Sequence, residues 1–271
     1  MKIIELLPYA TNNGVRIHYQ VFGEGPPLFL YAGAGYEWDL WKLAGYLDRL
    51  KGFQLIINDP RGFGRSDRPR TLADYRIGNQ VQDVVTVMDD LRVSSAAFWG
   101  HSDGAWVGFA LADAHPSRLK ALIAAGGAVG PPESTEREDL AKFVHNNGLG
   151  FLNGVFEKSL GKKLPVWYTR RRPRRDPEIF GLQMRAWVPW MKEAWNVLPG
   201  IKVPTLIITG DKEDPTGLNK KMARVIPDAR CVVLRGLRPG SSDALLNHID
   251  EFMRSEISTH YAKPFLRKHL K

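Results

Sequence analysis

The sequence predicts an α/β protein built on a mostly parallel, doubly wound sheet, and three observations predict it. Short apolar runs end repeatedly in a glycine-containing turn. Stretches with apolar residues at helical spacing lie between those runs. One long stretch, from about 131 to 198, carries no strand signal at all. A strand buried on both faces reads as an unbroken apolar run, because neither side meets water. Such strands alternating with helices form a parallel sheet covered by helices.

The elements follow in order. Val15–Phe22 alternates apolar and polar residues, which predicts a half-buried strand. Pro27–Tyr31 is an apolar run that leads into Ala32-Gly33-Ala34-Gly35. Residues 53–57 lead into Asn58-Asp59-Pro60-Arg61-Gly62, and residues 96–99 stop at Gly100. Leu119–Ala125 leads into Gly126-Gly127, and residues 205–209 lead into Gly210-Asp211. The last strand is predicted over 231–234, before Arg235-Gly236. Helices are predicted over 79–91, 105–112, 218–226 and 244–252. In the first of these, Val81, Val84, Val85, Met88 and Leu91 share one face.

The stretch without strands divides the chain. Residues 1–130 and 199–271 form the expected core, and 131–198 a helical cap inserted over the carboxyl ends of the strands. The cap is rich in Trp, Pro and Arg. Trp187, Trp190 and Trp195 fit either a pocket wall or helix–core contacts, and Trp167 lies upstream of them.

Composition narrows the function classes. Hydrophobic residues make up 44% and charged residues 25%, an ordinary globular balance that excludes a disordered or fibrous chain. Cys231 is the single cysteine, so no intrachain disulfide can form. At the head of an apolar run it reads as a small core residue. The apolar stretch near Ile3 and Ile4 is too short for a signal peptide, and no run reaches about 18 apolar residues. No membrane insertion is expected, and a cytoplasmic location is. The formal charge of +9 is concentrated in Arg170-Arg171-Arg172-Pro173-Arg174-Arg175, near Lys162 and Lys163. No nucleic-acid motif accompanies this run, so nucleic acid is not an expected partner. The run reads as a solvated face, with an anionic substrate passing beneath it as the alternative.

One motif carries chemistry. Gly100-His101-Ser102-Asp103-Gly104 fits G-x-S-x-G, and it follows a predicted strand and opens a predicted helix. The turn must be tight so that the serine hydroxyl projects above the sheet. Gly100 and Gly104 let backbone pass close by. The N–H of Asp103, at the start of the helix, can face a developing oxyanion.

With this motif the chain resembles the α/β-hydrolase superfamily over nearly its whole length. Asn13-Gly14-Val15-Arg16-Ile17-His18-Tyr19 is similar to the family's opening hairpin. Asp59-Pro60-Arg61-Gly62-Phe63-Gly64-Arg65-Ser66-Asp67 is similar to the loop after its fourth strand. Asp113-Ala114-His115-Pro116-Ser117-Arg118-Leu119 is similar to the lead into its sixth. The resemblance implies an α/β-hydrolase fold with a helical cap, and Ser102 as nucleophile. It implies an oxyanion hole from the N–H groups of Ala34 and Asp103. It also implies a catalytic acid after the seventh strand, in Gly210-Asp211-Lys212-Glu213-Asp214-Pro215. Asp214 is the first choice, Glu213 the second and Asp211 the third. The others would be helix-capping or solvent charges.

The general base departs from the family pattern. A Gly-x-Gly-His turn is expected after the last strand, but the chain reads Gly236-Leu237-Arg238-Pro239-Gly240-Ser241-Ser242-Asp243. Pro239 stands where the histidine belongs, and no histidine lies between Gly236 and Asn247. His101, His145 and His248 are the remaining candidates. The expected function is therefore a serine hydrolase for a small ester- or lactone-type substrate, weakened by the missing imidazole. The alternatives are a receptor-like ligand-binding protein, or a lyase or isomerase on the same scaffold. A small molecule under the cap is the expected partner, with the chain a monomer or homodimer. No cofactor and no metal are expected.

Overall fold

The computed structural model describes residues 8–33, 36–129, 136–160, 163, 166–170, 175–211, 214, 217–234, 247–249, 251–253 and 255–256. The strands are β1 (Tyr9–Asn12), β2 (Val15–Phe22), β3 (Pro27–Tyr31), β4 (Gln54–Asn58), β5 (Ala96–His101), β6 (Leu119–Ala125), β7 (Thr205–Gly210) and β8 (Ala229–Leu234). They form one sheet in the order β1-β2-β4-β3-β5-β6-β7-β8. β2 is antiparallel to β1 and β4, and every later pairing is parallel. The β1–β2 hairpin turns at Asn13 and Gly14, with φ of 49° and 81°. A two-residue hairpin needs this left-handed pair, and Asn-Gly adopts it at least cost.

Helices α1 (Asp39–Leu43) and α2 (Tyr46–Arg49) follow β3, and α3 (Ile77–Asp90) follows β4. Next, α4 (Asp103–Ala114) links β5 to β6. Between β6 and β7 come α5 (Glu136–Asn147), α6 (Phe151–Leu160), α7 (Val166–Thr169) and α8 (Pro177–Val197). Finally, α9 (Leu218–Val225) joins β7 to β8. In the predicted closing helix, 247–249 and 251–253 are helical.

Strand alternation builds two cores. Phe29, Ile56, Phe98, Leu122 and Ile207 face one side and pack with Val84, Met88, Val107 and Leu111 of α3 and α4. Leu28, Leu30, Trp99, Ile123 and Ile208 face the other and pack with Trp41, Tyr46 and Phe252. Each such fully buried side chain contributes roughly 1.5–3 kcal/mol. Cys231, expected as a small core residue, is half-buried and packs against the first of these cores. It lies on β8, the edge strand of the sheet among the described residues.

A buried ion pair ties the first hairpin to α3. Arg61 Nε and Nη2 donate to Asp83 at 2.7 and 2.6 Å, and Asn12 Nδ2 donates to the same carboxylate at 2.7 Å. Burial pushes the Asp83 carboxyl up, against the pull of Arg61 and Asn12.

Candidate active site

Ser102 sits between the end of β5 and the first turn of α4, with φ 54° and ψ −124°. Among the described residues only Asn13, Arg92 and Ser102 have positive φ without being glycine. A serine held there is strained, and such strain collects at functional sites. The surroundings hold it in place. Its N–H donates to the Ala125 carbonyl at 2.7 Å, and its carbonyl accepts from Ala105 at 2.9 Å. Its hydroxyl does not cap α4, so the side chain is not drawn into the helix end.

Three glycines make the turn possible. A Cβ on Gly100 would collide with the Gly104 carbonyl, and one on Gly104 with the Tyr31 carbonyl. A Cβ on Gly33 would lie 2.7 Å from Ser102 Cβ and 3.2 Å from its Oγ. The loop after β3 therefore runs directly against the nucleophile. Ala34, the expected oxyanion donor of that loop, lies outside the described residues. Asp103 is 7% exposed and opens α4, so its N–H is among those the helix leaves without an intrahelical acceptor.

A pair that sequence reading did not single out braces this loop. The Asp59 carboxylate accepts from Trp38 N–H at 2.8 Å and Arg65 N–H at 3.0 Å. His18 Nδ1 lies 2.7 Å from the same carboxylate, and Gln20 Nε2 lies 3.0 Å from His18 Nε2. Ser66 Oγ donates to the Asp59 carbonyl at 2.7 Å. Both His18 and Asp59 are wholly buried. Asp59 thus joins the segment after β3 to the segment after β4. The sequence signals were the Asn13–Tyr19 and Asp59–Asp67 motifs, which name the two residues but not their pairing.

The candidate acids part company. Asp211 is exposed at the end of β7. Asp214 is half-buried, and its carboxylate accepts the N–H groups of Leu218 and Asn219 at 2.6 and 2.8 Å. It caps α9, a use that sequence reading assigned to whichever acids were not catalytic. Glu213 lies outside the described residues. So does Pro239, with the whole turn from 235 to 246.

The histidines are scattered. His101 is half-buried on β5, paired in register with Ala125. His145 is exposed on α5 beside exposed Asn146 and Asn147, and His248 is half-buried in the closing helix. Exposure of this degree gives no support to His145 as a base dropped onto Ser102. Among the described residues no group of three His, Cys, Asp or Glu could hold a metal ion. None of their helices is long and apolar enough to cross a membrane.

The α8 helix reaches the carboxyl ends of the strands. Asp176 accepts from Glu178 and Ile179 N–H at 3.0 and 3.4 Å, and Pro177 follows at the first helical position. A Cβ on Gly62, after β4, would meet Ile179 Cγ2 at 2.6 Å. Trp187 is fully buried, donates to the Tyr75 carbonyl at 2.9 Å and meets the Trp106 ring edge-on at 5.9 Å. Trp187 is a core residue, while Trp190 and Trp195 are half-buried against the same core. Arg175 departs from the expected solvated run. It is buried, with its guanidinium 4.4 Å from the ring centroid of Tyr36. Its position in a charge run concealed this, because nothing local in a run of arginines marks the one turned inward.

A family model for the alpha/beta hydrolase fold matches residues 26–172. The chain is 30% identical over 109 residues to bifunctional epoxide hydrolase 2 of Sus scrofa, a match covering 40% of this chain and 20% of that protein. The chain thus spans about a fifth of that relative's length. A hydrolase from Pseudomonas aeruginosa superposes with a TM-score of 0.80 at 23% identity, covering 94% of this chain and 99% of that one. An enol-lactonase from Burkholderia xenovorans superposes with a TM-score of 0.72 at 26% identity, covering 91% and 99%.

Proposed function

This chain belongs to the α/β-hydrolase fold family, and from that premise we propose that it hydrolyses a small ester- or lactone-type substrate through Ser102. The observation that carries the reading is the strained backbone of Ser102, with φ 54°, set against Gly33. The similarity to an enol-lactonase supports the same reaction class.

The nucleophile selects among the chemistries of the relatives. A serine oxygen that adds to an acyl carbon forms an ester as the alcohol leaves with a proton. Water then cleaves that ester and restores the hydroxyl. A serine oxygen that opens an epoxide forms an ether, which water does not cleave. Acyl transfer is the route that turns over at Ser102, so the epoxide named for the porcine relative is not carried to this chain.

Turnover is slow in this reading. The sequence has no histidine from Gly236 to Asn247. Loss of a triad histidine costs about 10⁶-fold in turnover in a serine protease. Oxyanion donors and binding alone retain about 10³–10⁴-fold over water. The test is a fluorophosphonate probe with mass mapping, alongside nitrophenyl-ester hydrolysis. We expect slow covalent modification at Ser102, lost in Ser102→Ala, and slow ester turnover. A protein that binds the probe reversibly and never gains its mass would overturn the proposal in favour of a ligand-binding protein.

A further inference from the structure

Alternate residues of a strand share one face, and on β2 one face carries His18, Gln20 and Phe22. All three belong to one network. His18 Nδ1 stands 2.7 Å from the Asp59 carboxylate, and Gln20 Nε2 stands 3.0 Å from the other ring nitrogen. The Phe22 ring stacks on Trp38 with centroids 5.7 Å apart, and Trp38 N–H donates to Asp59 Oδ1 at 2.8 Å. The segment after β3 is therefore held at Trp38 by both its backbone and its ring. Its other end lies against the elbow. Gly33 has no room for a Cβ beside Ser102, and its carbonyl accepts the Tyr36 N–H at 3.0 Å. Ala34, the expected oxyanion donor, falls in sequence between Gly33 and Trp38.

Asp59 is closely fitted. Arg65 N–H donates to Oδ2 at 3.0 Å, and a Cβ on Gly64 would collide with the carboxylate. With Trp38 and His18, that makes three donors on a wholly buried side chain. An ionised carboxylate only accepts, so the His18 ring facing it carries a proton on Nδ1. The far nitrogen then accepts from Gln20 Nε2. Removing the His18 donor leaves a buried oxygen short of a partner, which frees the carboxylate to turn away from Trp38. The backbones are joined independently of that contact. His18 N–H donates to Ser66 Oγ at 2.9 Å, and Ser66 Oγ donates to the Asp59 carbonyl at 2.7 Å.

We infer that His18 and Asp59 are positioning residues: the pair holds the loop after β3 at the elbow, and through that loop sets the stabilisation of the transition state at Ser102. The effect on turnover rests on the hydrolase reading above, and the hold on the loop does not. Without a triad base, the rate that survives comes from oxyanion donors and binding, so donor placement carries most of it. A displacement of about 1 Å that arises far from the chemistry can cost about 10²-fold.

The test measures kcat and KM for 4-nitrophenyl butanoate, together with residue-resolved amide exchange, in wild type, His18→Leu and His18→Asn. Asparagine places its Nδ2 where the ring has Nδ1, so it keeps the donor and loses the ring. His18→Leu is expected to lower kcat by roughly 10- to 100-fold with KM changed less than about twofold. It should also speed exchange at Trp38 and Tyr36 but not in the central strands. His18→Asn should restore most of both. A fall in kcat with faster exchange throughout the sheet, not restored by His18→Asn, would overturn the proposal and leave the pair a general stabiliser. Hydrolysis in wild type that His18→Leu leaves unchanged would overturn the positioning and keep the hydrolase. Selective exchange at Trp38 and Tyr36, with no hydrolysis in any protein, would sustain the hold on the loop and remove the hydrolase. Unchanged exchange at both amides would overturn the hold itself. Should His18→Leu fail to fold, Gln20→Leu decides, because it releases the far side of the ring. A severalfold fall in kcat at constant KM supports the proposal, and wild-type kcat overturns it.

Discussion

Gly33 lies so close to Ser102 that a methyl group on it would stand 2.7 Å from the serine Cβ and 2.9 Å from the His101 carbonyl. Neither neighbour can retreat easily, since one is the elbow and the other its backbone. Gly33→Ala should therefore displace the loop or the nucleophile. We expect fluorophosphonate labelling to fall at least tenfold, with a stability loss of about 1–3 kcal/mol from overpacking. Labelling at the wild-type rate in a folded Gly33→Ala protein would separate the loop from the site.

Asp214 gives a second test, because a cap and a triad acid respond differently to the same change. The N–H groups of Leu218 and Asn219 bind its carboxylate. Removing such a cap costs about 1 kcal/mol, and asparagine, with one acceptor oxygen where Asp214 uses two, can keep only one of the two bonds. Asp214→Ala should lower Tm by roughly 2–4 °C, and Asp214→Asn should recover part of that loss. Ser102 labelling compared between the folded Asn variant and wild type then isolates the catalytic question, since the charge is gone while part of the cap remains.

The sheet was legible because its physics is local. An apolar run followed by glycine marks β3, β5 and β6 without reference to any other residue. Ser102 was legible for the same reason, since Gly100 and Gly104 state in sequence that backbone must pass closely. Pairings across the chain were not. His18 and Asp59 are 41 positions apart, and neither is flanked by anything that announces a buried partner. Arg175 reads as one arginine of a run, and its burial depends on Tyr36, far away in sequence.

The Arg61–Asp83 pair should be among the costliest to break. It is buried, multiply hydrogen-bonded and shared with Asn12. Asp83→Ala leaves a buried guanidinium without its partner, and about 3–5 kcal/mol of stability should be lost in urea melts. A loss under about 1 kcal/mol would mean that water reaches Arg61 and replaces the carboxylate.

Cys231 offers a pH-dependent readout beside Asp214. Burial, and then the Asp214 charge, push its thiol above the ordinary 9.0, with Lys220 acting in the opposite sense. The thiolate is the reactive form, so alkylation by iodoacetamide at pH 7.5 should be slower than for free cysteine. The rate should rise with pH to a midpoint above 9.0. Asp214→Asn removes the second cause and should lower that midpoint. A midpoint below 9.0 in the wild type would place a cation nearer the sulfur than Asp214.

The sharpest prediction concerns the turn that holds Pro239. Proline offers no proton acceptor in its side chain, and Arg238 stays protonated at working pH. A base must come within about 2.6–3.2 Å of the Ser102 hydroxyl to draw its proton. Pro239→His alone should do little, because the stretch before the closing helix is short for the family and would aim the ring wrongly. Replacing residues 236–242 with a longer Gly-x-Gly-His turn should raise nitrophenyl-ester hydrolysis by orders of magnitude. Ser102→Ala should abolish that gain. Fast hydrolysis in the unmodified chain, lost on substituting His101, His145 or His248, would show that the base has moved within the fold and was never deleted.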